Sequence, residues 1–188
     1  MYQGETTLNI ALIHHPVVNK RAETIGSAVT NLDIHDIART ARTYGVAQYF
    51  LATPYDDQQS LVKELLAHWE TGHGATYNPA RKEALSIVRL VASLEMAIAE
   101  LTVKYGKRPM LLTTSAQHRE TTIDYKEVAA KINNGEPVLL LFGTAHGLAP
   151  EVIGLSDATL PPIKGCTDYN HLSVRSAASI ILDRLLGS

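Results

Sequence analysis

Residues with the look of a metal site lie in the first quarter of the chain, where His14-His15 is followed by Asp33-Ile34-His35-Asp36. Carboxylates and imidazoles at such spacing are donor types that zinc, manganese and iron accept, so Asp33, His35 and His14 would suit a metallohydrolase. The surrounding pattern points elsewhere. Residues 33, 35 and 36 fall in the first turn of a helix and project in different directions, where acids complement the positive end of the dipole. A dipole or hydrogen-bonding role is therefore expected, and no metal. Arg39 and Arg42 follow on one helix face, with Asp36 placed three residues ahead of Arg39 to orient it. An arginine held by an acid can grip a phosphate or steer a nucleobase; a solvated charged face is the other meaning of such a set.

Two further stretches carry chemistry through small residues. Gly143-Thr144-Ala145-His146-Gly147 directly follows an apolar run, and glycines there allow backbone groups to approach a flat ligand. It matches neither the G-x-G-x-x-G dinucleotide fingerprint nor the G-x-x-x-x-G-K-[ST] phosphate loop. The segment 160–182 reads as a short strand, a polar loop and a helix whose first turns carry Ser173, Ser176, Ala177, Ala178 and Ser179. Such a helix suits either tight helix packing or close approach of a ligand.

These residues need a scaffold, and the hydrophobic pattern supplies one. Apolar runs of strand length at 8–13, 46–52, 75–77, 110–113, 138–142 and 158–160 alternate with amphipathic stretches, the pattern of a parallel sheet with crossover helices. Several runs are apolar at nearly every position, as strands covered on both faces should be. Thr30 and Asp33 resemble a capping box ahead of a helix over 31–44, with Gly45 as its stop. Asp56 and Asp57 would cap a second helix that turns Leu61, Leu65 and Trp69 inward and ends at Gly72. Asn78 with Pro79 opens a third, whose stripe runs Ala84, Ile87, Val88, Val91, Leu94, Ile98 and Leu101 to Gly106. A shorter helix covers 124–133, and the last places Val174, Ala177, Ala178, Ile181 and Leu185 on one face. Two long polar loops, 14–29 and 114–123, leave the carboxyl ends of strands, as do 53–55, 143–147 and 161–170. Open parallel sheets bind ligands at such ends, so one composite site is expected.

Composition narrows the classes. With 188 residues and 45% hydrophobic content, the chain can bury one full core, and a single domain over 1–188 is expected. The formal net charge of -2 lacks the strongly basic balance of many nucleic-acid binders, so a polyanion would have to meet a local patch. Cys166 is the one cysteine, which excludes an internal disulfide; with no leader pattern and no apolar run of bilayer length, a cytoplasmic protein without membrane contact is expected.

Three segments fall into one known order. Residues 30–46, Thr-Asn-Leu-Asp-Ile-His-Asp-Ile-Ala-Arg-Thr-Ala-Arg-Thr-Tyr-Gly-Val, resemble the first motif of the SPOUT RNA methyltransferases. Residues 139–148 resemble their second motif and residues 160–178 their third. Asp-Ile-His-Asp-Ile-Ala-Arg, Tyr77-Asn-Pro-Ala-Arg81 and Asn170-His-Leu-Ser-Val-Arg175 carry a closer similarity to a small bacterial branch of S-adenosylmethionine-dependent RNA methyltransferases. The resemblance covers nearly the whole chain. It implies an α/β fold with a mostly parallel sheet covered on both faces and a C-terminal deep trefoil knot, the knotted cofactor region spanning about 110–188. It also implies S-adenosylmethionine as cofactor, tRNA or rRNA as substrate, and a homodimer. The cofactor would lie against Thr113, Thr114 and Ser115; Gly143, Thr144, His146 and Gly147; Ile163, Gly165 and Cys166; and Tyr169, Asn170, His171, Leu172 and Ser173. Arg39 matches the motif-one arginine beside the methyl group, and Asn31 or Asp33 the motif-one asparagine; Asp33, Asp36 or His171 could accept a proton. Lys20, Arg21, Arg39, Arg42, Arg119, Lys164 and Arg175 would supply phosphate contacts. Many ribose-methylating members carry a glutamate in motif two and an asparagine in motif three. Those places hold Ala145 or His146 and Ser173 here, so ribose methylation does not carry over. With no separate RNA-binding domain, the alternative is a cofactor-binding dimeric module that needs a partner protein or RNA-binding domain in trans.

Overall fold

In the computed structural model, which describes residues 6–72, 76–117 and 121–187, six parallel strands form one sheet. They are β1 (Leu8–Ile13), β4 (Gln48–Ala52), β5 (Val88–Val91), β6 (Met110–Thr113), β7 (Val138–Gly143) and β8 (Ala158–Thr159), in the order β5-β4-β1-β7-β6-β8. Two short strands, β2 (Val17–Val18) and β3 (Thr24–Ile25), make an antiparallel hairpin within the loop after β1. The helices are α1 (Asn31–Thr43), α2 (Asp56–Glu70), α3 (Pro79–Leu85), α4 (Leu94–Tyr105), α5 (Tyr125–Asn133), α6 (Pro150–Leu155) and α7 (Val174–Leu186). None among the described residues is long and apolar enough to cross a membrane.

Side-chain alternation divides the core in two. Leu8, Ile10 and Leu12 of β1 and Val138, Leu140 and Phe142 of β7 join the layer under α1, α2, α3, α5 and α7. Ala11, Ile13, Leu139 and Leu141 face the opposite layer, covered by α4 and α6. Since successive side chains point to opposite faces, a strand covered on both should be apolar at nearly every position, and the buried Asn9 is the exception in these two runs.

The helix expected over 79–106 is interrupted. Its residues divide into α3, the strand β5 and α4, and Val88–Val91 pairs with Tyr49–Ala52 of β4. The run Ile87-Val-Arg-Leu-Val91 is rich in β-branched side chains that favour a strand, and a free edge of β4 was available to pair with it. Ala75 of the strand expected over 75–77 lies outside the described residues, while Thr76 and Tyr77 are helical. In α2 the cap is Tyr55 without a side-chain bond, and Asp56 and Asp57 occupy the first turn. Val62 is its buried residue, whereas Leu61 stays 48% exposed. Leu65 and Trp69 are partly buried against the core.

The strand order reverses between β1 and β7, whose last paired residues are Ile13 and Gly143. Four loops therefore leave carboxyl ends side by side: 14–30, 114–124, 144–149 and 160–173. β8 is held from both sides. Thr113 and Thr159 pair across β6 and β8, with their hydroxyls 2.7 Å apart, while Thr159 N donates to Thr121 O and Ile123 N to Thr159 O. The chain thus leaves β8 between β6 and the segment that follows β6. It then returns as α7, which packs on α1 and α5.

Candidate functional site

The four loops enclose a cavity of about 1370 Å³ at the switch in strand order. Each wall has a local cause. After β7 the chain turns back at once, with Ala145 and Gly147 at φ +51° and +117°. His146 N donates to Val18 O, and Val18 N to Gly147 O, which ties this turn to the β2–β3 hairpin. A Cβ on Gly143 would lie 2.7 Å from Leu148 N, so the first glycine is required by the loop's own return rather than by a ligand. Gly147 meets nothing with an added Cβ; its φ is what calls for glycine.

The floor between the β1 and β7 loops is a chain of hydroxyls and one imidazole. His14 is fully buried, with Nδ1 3.1 Å from Ser27 Oγ and Nε2 without a partner among the described residues. Ser27 Oγ bonds Thr144 Oγ1, which donates to Ile13 O at 3.0 Å. Burial pushes His14 below its ordinary value, and the nearby Asp33 charge and the Ser27 and Ala28 backbone only partly oppose this. The imidazole is therefore neutral at pH 7.

Asp33 and Arg175 form the charged wall. Thr30 caps α1, its Oγ1 accepting from Asp33 N at 3.2 Å and donating to Asp33 Oδ2 at 2.6 Å. Arg175 Nη1 donates to Asp33 Oδ1 at 2.7 Å, and its Nε lies 3.6 Å from Asp36 Oδ2. A cation in the first turn of α7 opposes the helix dipole, and the two carboxylates of α1 compensate it. The small residues of α7 allow that approach: Ser173 caps the helix through Ser176 N, and Ser179 Oγ lies 3.2 Å from Thr40 Oγ1 of α1. On the far wall Asn170 Nδ2 donates to Ala116 O at 2.9 Å, joining the loop before α7 to the loop after β6.

The expected cofactor residues largely meet here. Thr113, Thr114, Ser115, Gly143, Thr144, His146, Gly147, Ile163, Asn170, His171, Leu172 and Ser173 line the cavity; Gly165, Cys166 and Tyr169 are exposed and outside its wall. Of the candidate catalytic residues, Asp33 and His171 line it. Asn31 and Asp36 face a separate hollow on the other side of α1, and Arg39 is exposed, 4.0 Å from Asp36. Among the basic candidates, Lys20 and Arg175 line the cavity, Arg42 is paired with Glu83 at 2.8 Å, and Arg119 lies outside the described residues. Sequence reasoning named Arg175 only as a phosphate contact and missed its pairing with Asp33, since 142 positions separate them. It also missed Ser27, whose one signal was its place in a polar loop after β1. Among the described residues no three His, Cys, Asp or Glu side chains converge.

The chain as a whole has known relatives. The chain is 47% identical over 180 residues to a tRNA (guanine-N(1)-)-methyltransferase of Oleidesulfovibrio alaskensis, which covers 96% of the chain but 42% of that relative. It thus spans about two fifths of that relative's length. An uncharacterised protein of Aquifex aeolicus is 38% identical over 177 residues, covering 94% of the chain and 86% of the relative. The solved SpoU methyltransferase AviRb of Streptomyces viridochromogenes superposes with a TM-score of 0.60 at 19% identity, over 98% of this chain and 60% of that one. That likeness gives the fold, a mostly parallel α/β sheet with helices on both faces. The model of the SAM-dependent RNA methyltransferase family matches residues 7–187, and the chain belongs to that family.

Proposed function

We propose that this chain, as one domain, binds S-adenosylmethionine in the cavity at the carboxyl ends of β1, β6, β7 and β8 and methylates RNA there. The observation that carries the reading is the Asp33–Arg175 pair in the same wall as the Gly143–Gly147 turn. The donor set fits the cofactor. Phe142, Leu160, Ile163 and Leu172 offer apolar surface for a flat purine, Thr114, Ser115 and Ser173 offer hydroxyls, and Asp33 and Asp168 offer carboxylates to a cation. At about 1370 Å³ the cavity exceeds the ~300–1,000 Å³ of a site for one small ligand, leaving space for an acceptor nucleotide.

The bound cofactor supplies an electrophilic methyl carbon. The chain's task is alignment, and for an acceptor that carries a proton, its removal. Asp33 Oδ1 is the proposed proton acceptor, held in place by Arg175, with His171 as the second candidate. His14 and Ser27 position Thr144 and through it the cofactor turn. Arg39, outside the cavity, is proposed to hold the acceptor strand. The chain leaving β8 is proposed to be threaded as a trefoil knot over 110–188, a reading supported by the bonds on both sides of Thr159. Tyr169, 75% exposed and outside the cavity wall, suits a homodimer contact beside the site.

The relatives' name makes tRNA guanine N1 the first substrate to try. Incubating the protein with labelled S-adenosylmethionine and total RNA, then analysing nucleosides by mass spectrometry, identifies the product. Absence of cofactor binding by calorimetry at millimolar concentration would sink the proposal. A second reading, a cofactor-binding module that needs RNA contacts in trans, is favoured by the 58% of those relatives that the chain does not span. Methylation of RNA by this chain alone removes it.

A further inference from the structure

On the far side of α1 a second hollow, of about 430 Å³, opens between the first turn of α1, the end of α2 and the start of α3. Its chemistry gathers around Trp69. The Arg81 guanidinium lies 5.0 Å over the indole, and His35 and His68 meet the ring edge-on with centroids 5.5 and 5.3 Å away. Two buried polar atoms here are unsatisfied. His35 is 9% exposed and its Nδ1 has no hydrogen-bond partner, and Arg81 Nε is equally without one. No carboxylate pairs with Arg81 among the described residues. The one acid in the wall, Asp36, is turned toward Arg175 at 3.6 Å and Arg39 at 4.0 Å. An unpartnered buried polar group is costly, and two residues that line this one hollow each carry such an atom. Burial, the Arg81 charge and, less strongly, the Arg39 charge push His35 below its ordinary value, against the pull of Asp36, so the positive charge around the hollow comes from arginine, with Arg81 in its wall. A guanidinium fork selects an oxyanion over a neutral carbonyl.

The hollow is connected to the main cavity through one side chain. Asp33 faces the cavity and Asp36 the hollow, about one turn of α1 or ~5 Å apart, and Arg175 reaches both. We propose that this hollow is a phosphate subsite for RNA, in which Arg81 and His35 hold a phosphodiester oxygen adjoining the nucleotide bound in the main cavity. The inference rests on the RNA reading above. It adds a contact outside the cofactor site and makes Trp69 a built-in reporter, because it is the chain's only tryptophan.

The test titrates bulk tRNA against Trp69 emission and, in parallel, measures binding by filter retention over a series of salt concentrations. RNA should change Trp69 emission. Arg81→Ala should weaken retention about ten- to a hundredfold, as loss of a charge-assisted bond does. It should also reduce the slope of log affinity against log salt by about 0.7, one phosphate's worth for a single strand. Arg81→Lys keeps the charge and should restore the slope but only part of the affinity. Calorimetric binding of S-adenosylmethionine checks that each variant is folded. If RNA binds while Trp69 and the salt slope ignore both substitutions, the subsite is refuted and the RNA reading stands. A Trp69 response to inorganic phosphate with none to RNA would assign the hollow to a free anion and overturn the proposal. No retention of RNA by the unaltered protein would sink the RNA reading and the subsite together.

Discussion

Replacing Arg175 by methionine keeps most of the apolar stem of the side chain and removes its charge. Asp33, with a side chain 9% exposed, then loses a donor at 2.7 Å. Removing one partner of a fully buried ion pair costs about 3–5 kcal/mol. Two features lower that here: Arg175 is 33% exposed, and Thr30 Oγ1 still donates to the other Asp33 oxygen at 2.6 Å. The expected loss is that of a hydrogen bond to a charged group, about 1.5–3 kcal/mol. For a domain of this size each kcal/mol moves Tm by about 2–4 °C, so a fall of roughly 3–12 °C is expected by circular dichroism. A double-mutant cycle with Asp33→Asn isolates the pair and should return about 1–2 kcal/mol of coupling. The same substitution should weaken cofactor binding, since α7 and the loop before it form one wall of the cavity. A fall in Tm under about 1 °C, or additive effects within about 0.3 kcal/mol, would refute the claim that this pair holds the first turn of α7 against α1.

Acid should destabilise the fold through its buried histidines. His14 and His35 are both pushed below 6.5; the unfolded chain therefore binds protons first, and stability present above pH 6.5 is lost as pH falls toward the folded values. The slope is at most about 1.4 kcal/mol per pH unit for each group, and urea titrations of His14→Gln between pH 5 and 7.5 should show a shallower one. Gly143→Ala puts a Cβ 2.7 Å from Leu148 N, so the turn must shift; about 1–3 kcal/mol of stability and most of the cofactor affinity should go. Gly154→Ala has open space in α6 and should be neutral or stabilising by about 0.5–1 kcal/mol. A calorimetric result in which both glycine variants bind the cofactor equally well would count against the turn's role. Arg39→Ala should leave cofactor affinity within about twofold and abolish methyl transfer in the labelled assay; retained transfer removes Arg39 from the acceptor's grip.

The sheet was legible because its strands are covered on both faces. Nearly continuous apolar runs at 8–13, 110–113 and 138–142 stand out from a helical period, and the structure returns them almost residue for residue. β5 was not legible for a related reason. Its four residues follow seven helical ones and precede twelve more, and Ala84, Val88 and Val91 fall at spacings that also suit one helix face. Only the empty edge of β4, a tertiary fact, decides between the two. The β2–β3 hairpin has strands of two residues, shorter than any window in which alternation can be read.

The site divides in the same way. Residues that act through backbone position, the Gly143–Gly147 turn and the segment around Asn170, could be placed because their loops follow recognisable strands. Residues that act by pairing across the chain could not. The first-turn acids of α1 were read as serving the helix dipole, and for Asp33 that is half of the account: its amide takes the Thr30 cap while its carboxylate serves Arg175. An acid on one helix and an arginine at the wrong end of another each look unremarkable or unfavourable alone. Brought together they offset the dipole penalty of Arg175 and hold Asp33 Oδ1 in the cavity wall, while Asp36 lines the hollow that holds Trp69 and Arg81. One helix with acids a turn apart thus separates the proposed site of methyl transfer, which Asp33 faces, from the proposed phosphate subsite, which Asp36 faces.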